Sequence, residues 1–143
     1  MIVQQISVFL ENRIGRLAEV TAILGNHGIN IRALSLADTA DFGILRVIVD
    51  DVDRAIRVLK DEGLTVGETD VVAVEVPDVP GGLARLLRIL CDESVNVEYM
   101  YAFVKAPAKS AIMIFRFENP EQALEALDRH QIRTLPGAEL YRM

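Results

Sequence analysis

The chain has 143 residues, 51% hydrophobic and 25% charged, the balance of a folded globular protein and not of a disordered one. Its net charge of −6 supplies no basic surface for phosphate backbones or anionic lipids, which argues against nucleic acid and membranes as partners. The single cysteine, Cys91, excludes an intrachain disulfide, and no window approaches the ~20 apolar residues of a membrane span, so a cytoplasmic location is expected.

Aromatic residues make up 6% and there is no tryptophan, so the core must be aliphatic. Met1 is followed at once by the alternating run Ile2-Val3-Gln4-Gln5-Ile6-Ser7-Val8, which has no basic segment of a signal peptide. Alternation predicts a first strand over residues 4–10. A helix opens at Gly15, with Leu17, Val20 and Leu24 along one face and Gly28 as its stop. A second strand runs from Asn30 and a third over residues 44–50, separated by the polar stretch Ala37-Asp38-Thr39-Ala40-Asp41-Phe42-Gly43, read as a solvated hairpin. Its Asp41-Phe42-Gly43 echoes a kinase triplet, but the other kinase motifs are missing. Asp51 caps a second helix, and a last strand follows near residues 66–70.

The pattern then starts again. At a shift of 66 positions, seven of the 26 residues from Ile6 to Ile31 are identical, where chance gives about one or two. Farther on the shift becomes 68, and the extra residues fall near Lys105-Ala106-Pro107-Ala108-Lys109, read as a hairpin turn. The second copy has a strand over 72–76, a helix with Leu83, Leu86, Leu87 and Leu90 on one face, a strand from Asn96 and a strand over 111–117. A helix capped by Asn119, with Pro120 at its first turn and Gln122 at the capping-box position, and a last strand over 138–142 complete it. The order is βαββαβ twice, an α+β, ferredoxin-like arrangement of antiparallel sheets with helices on one face. The two repeats are residues 1–70 and 71–143. Residues 69–76 must close one copy and open the next, which predicts a single cooperative body with two sheets side by side or sharing a long strand.

The segments able to carry chemistry are the first strand-to-helix loops, Leu10-Glu11-Asn12-Arg13-Ile14-Gly15-Arg16-Leu17 and Val76-Pro77-Asp78-Val79-Pro80-Gly81-Gly82-Leu83. Glycine lets the backbone turn sharply. The unpaired N–H groups of the helix that follows, with its positive end, suit a carboxylate. Turn and cap requirements alone account for the same residues.

A βαββαβ unit with such a loop, an aliphatic helix and the strand starts Gly28-Ile29-Asn30-Ile31 and Val95-Asn96-Val97 resembles the ACT domain, a small regulatory ligand-binding module. The likeness covers residues 6–141, and the first copy departs from it in placing Ile14 where proline is usual. The resemblance implies that an amino acid is bound where paired domains meet. It also implies a stand-alone sensor or detached regulatory subunit, not an enzyme, because the two units consume the chain. Carried over residue by residue, the loop polar position falls on Asn12 and Asp78. The loop amides fall on Gly15, Arg16 and Leu17 and on Gly81, Gly82 and Leu83, and the strand-start asparagine falls on Asn30 and Asn96. Ile14 and Val79 belong to the apolar lining. Helix N–H groups would hold the carboxylate and asparagine oxygens the ammonium. The first loop, with Asn12 and Arg16 against Asp78 and Gly82, is expected to be the better site.

No cofactor or metal is expected: His27 and His130 are far apart, near helix C-termini, with no ligand cluster at metal spacing. Cys91 is expected as a small packed thiol, and Tyr99 and Tyr101 as packing residues on the face of Val97. The alternative to an amino-acid sensor is a non-catalytic subunit that docks on a partner enzyme. Pairing of two chains into a homodimer is left open.

Overall fold

The computed structural model describes residues 1–38, 41–103 and 110–142. The hairpin expected at Lys105 to Lys109 lies outside these residues, as do Thr39 and Ala40 of the first hairpin. Two compact units are present: one is Gln4–Thr69, the other combines Met1–Val3 with Asp70–Tyr141. The strand β4 (Thr65–Pro77) is continuous and supplies residues to each.

In the first unit, β1 (Val3–Glu11), α1 (Arg16–Asn26), β2 (Ile31–Asp38), β3 (Phe42–Val49) and α2 (Val52–Asp61) precede β4. Strand β3 is central, antiparallel to β1 through Ile6↔Val47 to Glu11↔Phe42 and to β2 through Ile31↔Val49 to Asp38↔Gly43. Alternation puts Ile6, Val8 and Leu10 of β1 with Leu45, Val47 and Val49 of β3 on one face, under Val20 and Leu24 of α1 and Ala55 and Leu59 of α2. Asp51 caps α2, its side chain accepting from the Arg54 N–H at 3.2 Å. Gly28 follows α1 with φ +70°, the left-handed conformation of a helix stop.

The second unit repeats the plan with α3 (Gly82–Asp92), β5 (Val97–Ala102), β6 (Ser110–Phe117), α4 (Pro120–Arg129), β7 (Thr134–Leu135) and α5 (Gly137–Arg142). Strand β6 is antiparallel to β4 and β5, and β7 to β4. In its core Phe115 and Phe117 stand where the first unit has Val47 and Val49, their rings stacked at 5.3 Å. The larger rings are accommodated by Ala126, fully buried on α4 where Val58 stands on α2. Asn119 caps α4 by accepting from the Gln122 N–H at 3.2 Å, with Pro120 in the first turn. The Gln122 side chain does not close a capping box; it donates to the Glu93 carbonyl at 3.5 Å.

Three further expectations need correction. Residues 138–142 form helix α5 and not a strand, the last strand being β7. Pro136 cannot donate to a ladder, and its carbonyl instead accepts from the Glu139 and Leu140 N–H groups at 3.1 Å, opening a helical turn. Tyr99 and Tyr101 do not share the face of Val97. A register shift between Val97 and Tyr99 breaks the alternation, so Met100 joins the core while Tyr101 pairs with Ile114. Cys91 is exposed, because the buried stripe of α3 runs through Gly82, Leu86 and Leu90 and turns away from it. Among the described residues, no helix is long and apolar enough to cross a membrane.

Candidate functional site

The two strand-to-helix loops share one backbone device. Gly15 (φ +86°) and Gly81 (φ +83°) hold the left-handed conformation at the helix N-cap, where an L side chain is strained. Neither α1 nor α3 has a side-chain cap, in contrast to α2 and α4. The Arg16 N–H donates to the Arg13 carbonyl (3.3 Å) and that of Gly82 to the Val79 carbonyl (3.0 Å). The next donors, Leu17 and Ala18 in α1 and Leu83 and Ala84 in α3, meet no acceptor among the described residues. Each helix therefore presents free amides at its positive end, a geometry that favours an anion.

The side chains differ between the loops. In the first, the Asn12 N–H donates to the Asp41 carbonyl (2.9 Å), tying the loop to the start of β3. Arg16 pairs with Glu19 one turn on (2.9 Å), and that hydrogen bond, then the Arg16 charge, lowers the Glu19 carboxyl below its ordinary value. The Arg16 Nε is buried and has no partner among the described residues. Ile14 is completely exposed, and Leu17 is exposed as well.

In the second loop the position of Arg16 is taken by Gly82, which is buried, and that of Glu19 by Arg85. A Cβ on Gly82 would fall 2.2 Å from the Pro77 carbonyl oxygen. Without a side chain there, a hollow of about 320 Å³ opens between Pro77, Val79, Pro80, Gly81, Gly82 and Arg85. Asp78 is exposed and does not line it. A larger cavity of about 420 Å³ shares Pro77, Gly82 and Arg85 with the hollow and continues along α3 to Leu86 and Ile89. Its other wall is the end of β4 and the segment from His130 to Arg133. Glu75 there accepts from the Ser110 hydroxyl (2.7 Å) and from Arg133 (3.0 Å), and these bonds, in that order, lower its carboxyl below the ordinary value.

Asn30 and Asn96 lie elsewhere. The Asn30 N–H donates to the Asp50 carboxylate (3.0 Å), just after β3, whereas Asn12 bonds to Asp41, just before it. The eight residues of β3 separate them by roughly 23 Å at the usual strand rise. Asn96 donates to Glu118 (3.2 Å), just after β6, whereas the second loop follows Pro77, paired with Ser110 at the start of β6. Within one unit, no ligand of amino-acid size reaches both the loop and its strand-start asparagine. Both histidines end helices as expected: His27 follows α1 and donates through Nδ1 to the Ile23 carbonyl (2.9 Å), and His130 follows α4 with its Nε2 3.1 Å from Glu93.

Comparison with known families matches residues 1–143 to the ACT domain pair. The chain belongs to the ACT domain family. An ACT domain pair is a ligand-binding regulatory module, and the two units are its ferredoxin-like repeats. Protein BT0572 from Bacteroides thetaiotaomicron, known by its crystal structure, is 43% identical, with a TM-score of 0.94 over 100% of this chain and 98% of that one. The regulatory subunit of aspartate kinase from Thermus thermophilus, in a ligand-free form, has a TM-score of 0.66 at 19% identity, covering 88% of this chain and 91% of that one. The same subunit from Thermus flavus has a TM-score of 0.63 at 17% identity, covering 88% and 90%. At those identities the likeness is one of fold. No curated protein matches the chain.

Four residues of the second ACT repeat were missed by reading motifs alone: Glu75, Ala84, Arg85 and Ile132. The signal for Arg85 was present, since the 66-residue shift sets it on Glu19 and so replaces an acid by a base. Ala84 follows from counting the unpaired amides of a first helical turn. Glu75 and Ile132 come to the cavity only through tertiary packing.

Proposed function

We propose that this ACT domain pair is a regulatory protein that binds an amino acid at its strand-to-helix loops. One observation carries the reading: α1 and α3, the two helices that follow those loops, present uncapped amides behind a left-handed glycine, while α2 and α4 are capped by Asp51 and Asn119. A side-chain cap contributes about 1 kcal/mol, so leaving it out of both family loops fits donors reserved for a carboxylate. Gly15, Leu17, Ala18 and Arg16, with Asn12 nearby, would form the first site. Gly81, Leu83, Ala84 and Arg85 would form the second. The sequence ranks the first loop higher. The cavities and the unpaired Arg85 support the reverse order, because Arg16 is already held by Glu19. Asn30 and Asn96 join strand ends and are not assigned to either loop site.

The reading is tested by thermal unfolding with each of the twenty amino acids. A ligand at 100 times its Kd adds about 2.7 kcal/mol of stability. Gly81→Asp sets an anion where the carboxylate belongs and should abolish that gain; Gly15→Asp should reduce it less. If no amino acid stabilises the protein, the reading is wrong.

A second reading, a non-catalytic subunit docking on a partner enzyme, is favoured by an exposed apolar hollow in the first unit. Phe9 and Phe42, 48% and 60% exposed, meet Ala37 and Ile44 around about 200 Å³. A partner retained by the parent and lost with Phe42→Asp would support it.

A further inference from the structure

The 420 Å³ cavity beside the second loop carries a statement about which amino acid is bound. Its volume is at the small end of ligand sites, which run from about 300 to 1,000 Å³ and so include sites for metabolites smaller than a nucleotide. Val76, Leu86, Ile89 and Ile132 give it aliphatic walls. Its charges are unequally committed. Arg133 is held between Glu75 (3.0 Å) and Glu139 (2.6 Å), and His130 lies against Glu93. Arg85 forms no side-chain hydrogen bond or ion pair among the described residues, although it lines both the cavity and the loop hollow. The equivalent positions of the first repeat hold the closed pair Arg16–Glu19. Exchanging Arg16 and Glu19 for Gly82 and Arg85 removes a side chain from the backbone and leaves one cation unneutralised.

We infer that the second repeat selects an α-amino acid with an aliphatic side chain of valine, leucine or isoleucine size. This rests on the amino-acid reading above and adds the class. The ligand carboxylate lies against Arg85, which lines both the cavity and the loop hollow and offers a planar, bidentate partner. The ammonium is taken by Glu75, the one carboxylate among the cavity's lining residues; ionised, it has lone pairs beyond the two that Ser110 and Arg133 use. The aliphatic side chain packs on Leu86, Ile89 and Ile132, where a charged or hydroxylated one would lose its hydration without a partner.

Titration calorimetry on the intact chain tests this with leucine, isoleucine, valine, glycine, serine, aspartate, lysine and 4-methyl-2-oxopentanoate, the last lacking the ammonium. Leucine or isoleucine is expected to bind at least tenfold more tightly than serine or glycine and than the oxo acid. Arg85→Met, on an exposed helix position, should weaken leucine binding at least tenfold. Ile89→Gln should erase the preference of leucine over serine. Binding confined to polar or charged amino acids would overturn the selectivity and leave the amino-acid reading standing. Leucine binding of parental strength in both variants would place the site elsewhere and also overturn it. Failure of every amino acid to bind would remove both readings.

Discussion

Replacing Gly82 by alanine tests whether the second loop is built around the absence of a side chain. The new Cβ would stand 2.2 Å from the Pro77 oxygen and 3.3 Å from its carbon, against a floor of 3.0 Å for real contacts, so the backbone must separate by 3.0 − 2.2 = 0.8 Å. The obstacle is main chain and cannot rotate away. Such overpacking costs about 1–3 kcal/mol, and alanine returns about 0.5–1 kcal/mol by narrowing the unfolded ensemble. The net loss is about 1–2 kcal/mol, or roughly 3–8 °C in Tm for a chain of this length. Gly25→Ala is the matched control: it lies within α1, nothing is within 4 Å of its Cβ, and it should raise Tm by about 1–4 °C. Both are read by circular dichroism melts at pH 7. A Gly82→Ala protein that melts at or above the parent, or a Gly25→Ala protein that falls equally far, would refute the packing argument.

Asp51→Ala removes the α2 cap and should lower Tm by about 2–4 °C, from a loss of about 1 kcal/mol; Asp78→Ala, which removes no cap, should leave the melt near the parent's. The Glu75 carboxyl is held below its ordinary 4.5 in the fold, first by Ser110 and then by Arg133. Its contribution is present above that value and is lost as pH falls through the lower, folded one. The Tm gap between parent and Glu75→Gln at pH 7 should therefore close below about pH 4.5, and a gap unchanged to pH 3 would contradict the pairing. Strand β4 supplies residues to each unit without a break, so calorimetry should show one unfolding transition; two resolved transitions would speak for independent repeats.

What was legible in the sequence is what local chemistry decides. Alternating aliphatics, Gly28, Asp51 and Asn119-Pro120 marked their elements because strand faces, helix stops and caps are set by neighbours in the chain. The duplication was legible too, down to the glycine that opens each loop. What failed depended on tertiary context. The register shift at Val97/Tyr99 turned the tyrosines away from the predicted face, and no residue there announces a bulge. Residues 138–142 alternate like a strand, yet Pro136 ended the ladder two residues after it began. That Asn30 and Asn96 lie at the far ends of their strands from the loops was likewise not legible, because a motif ignores which end of the sheet a residue occupies.

Duplication explains why the two loops differ where it matters. In a βαββαβ unit the loop and the first helical turn must be rebuilt in each copy, because the left-handed glycine and the uncapped amides belong to the fold's connection. The positions one turn apart at 16 and 19, and at 82 and 85, are where the copies diverge: Glu19 and Arg85 are exposed, while Gly82 is buried against Pro77. In the first repeat they became an arginine and a glutamate that satisfy one another, leaving the loop electrically closed apart from the buried Arg16 Nε. In the second they became a glycine locked against Pro77 and an arginine that forms no side-chain hydrogen bond or ion pair among the described residues. Arg85 is exposed, so water solvates it and it gains little stability from the fold; beside it lie the free amides and an aliphatic wall. That is a sound arrangement for a molecule that brings a carboxylate at one end and a hydrocarbon at the other. On the proposal above, this asymmetry makes the second repeat the stronger site, and the closed Arg16–Glu19 pair makes the first the weaker.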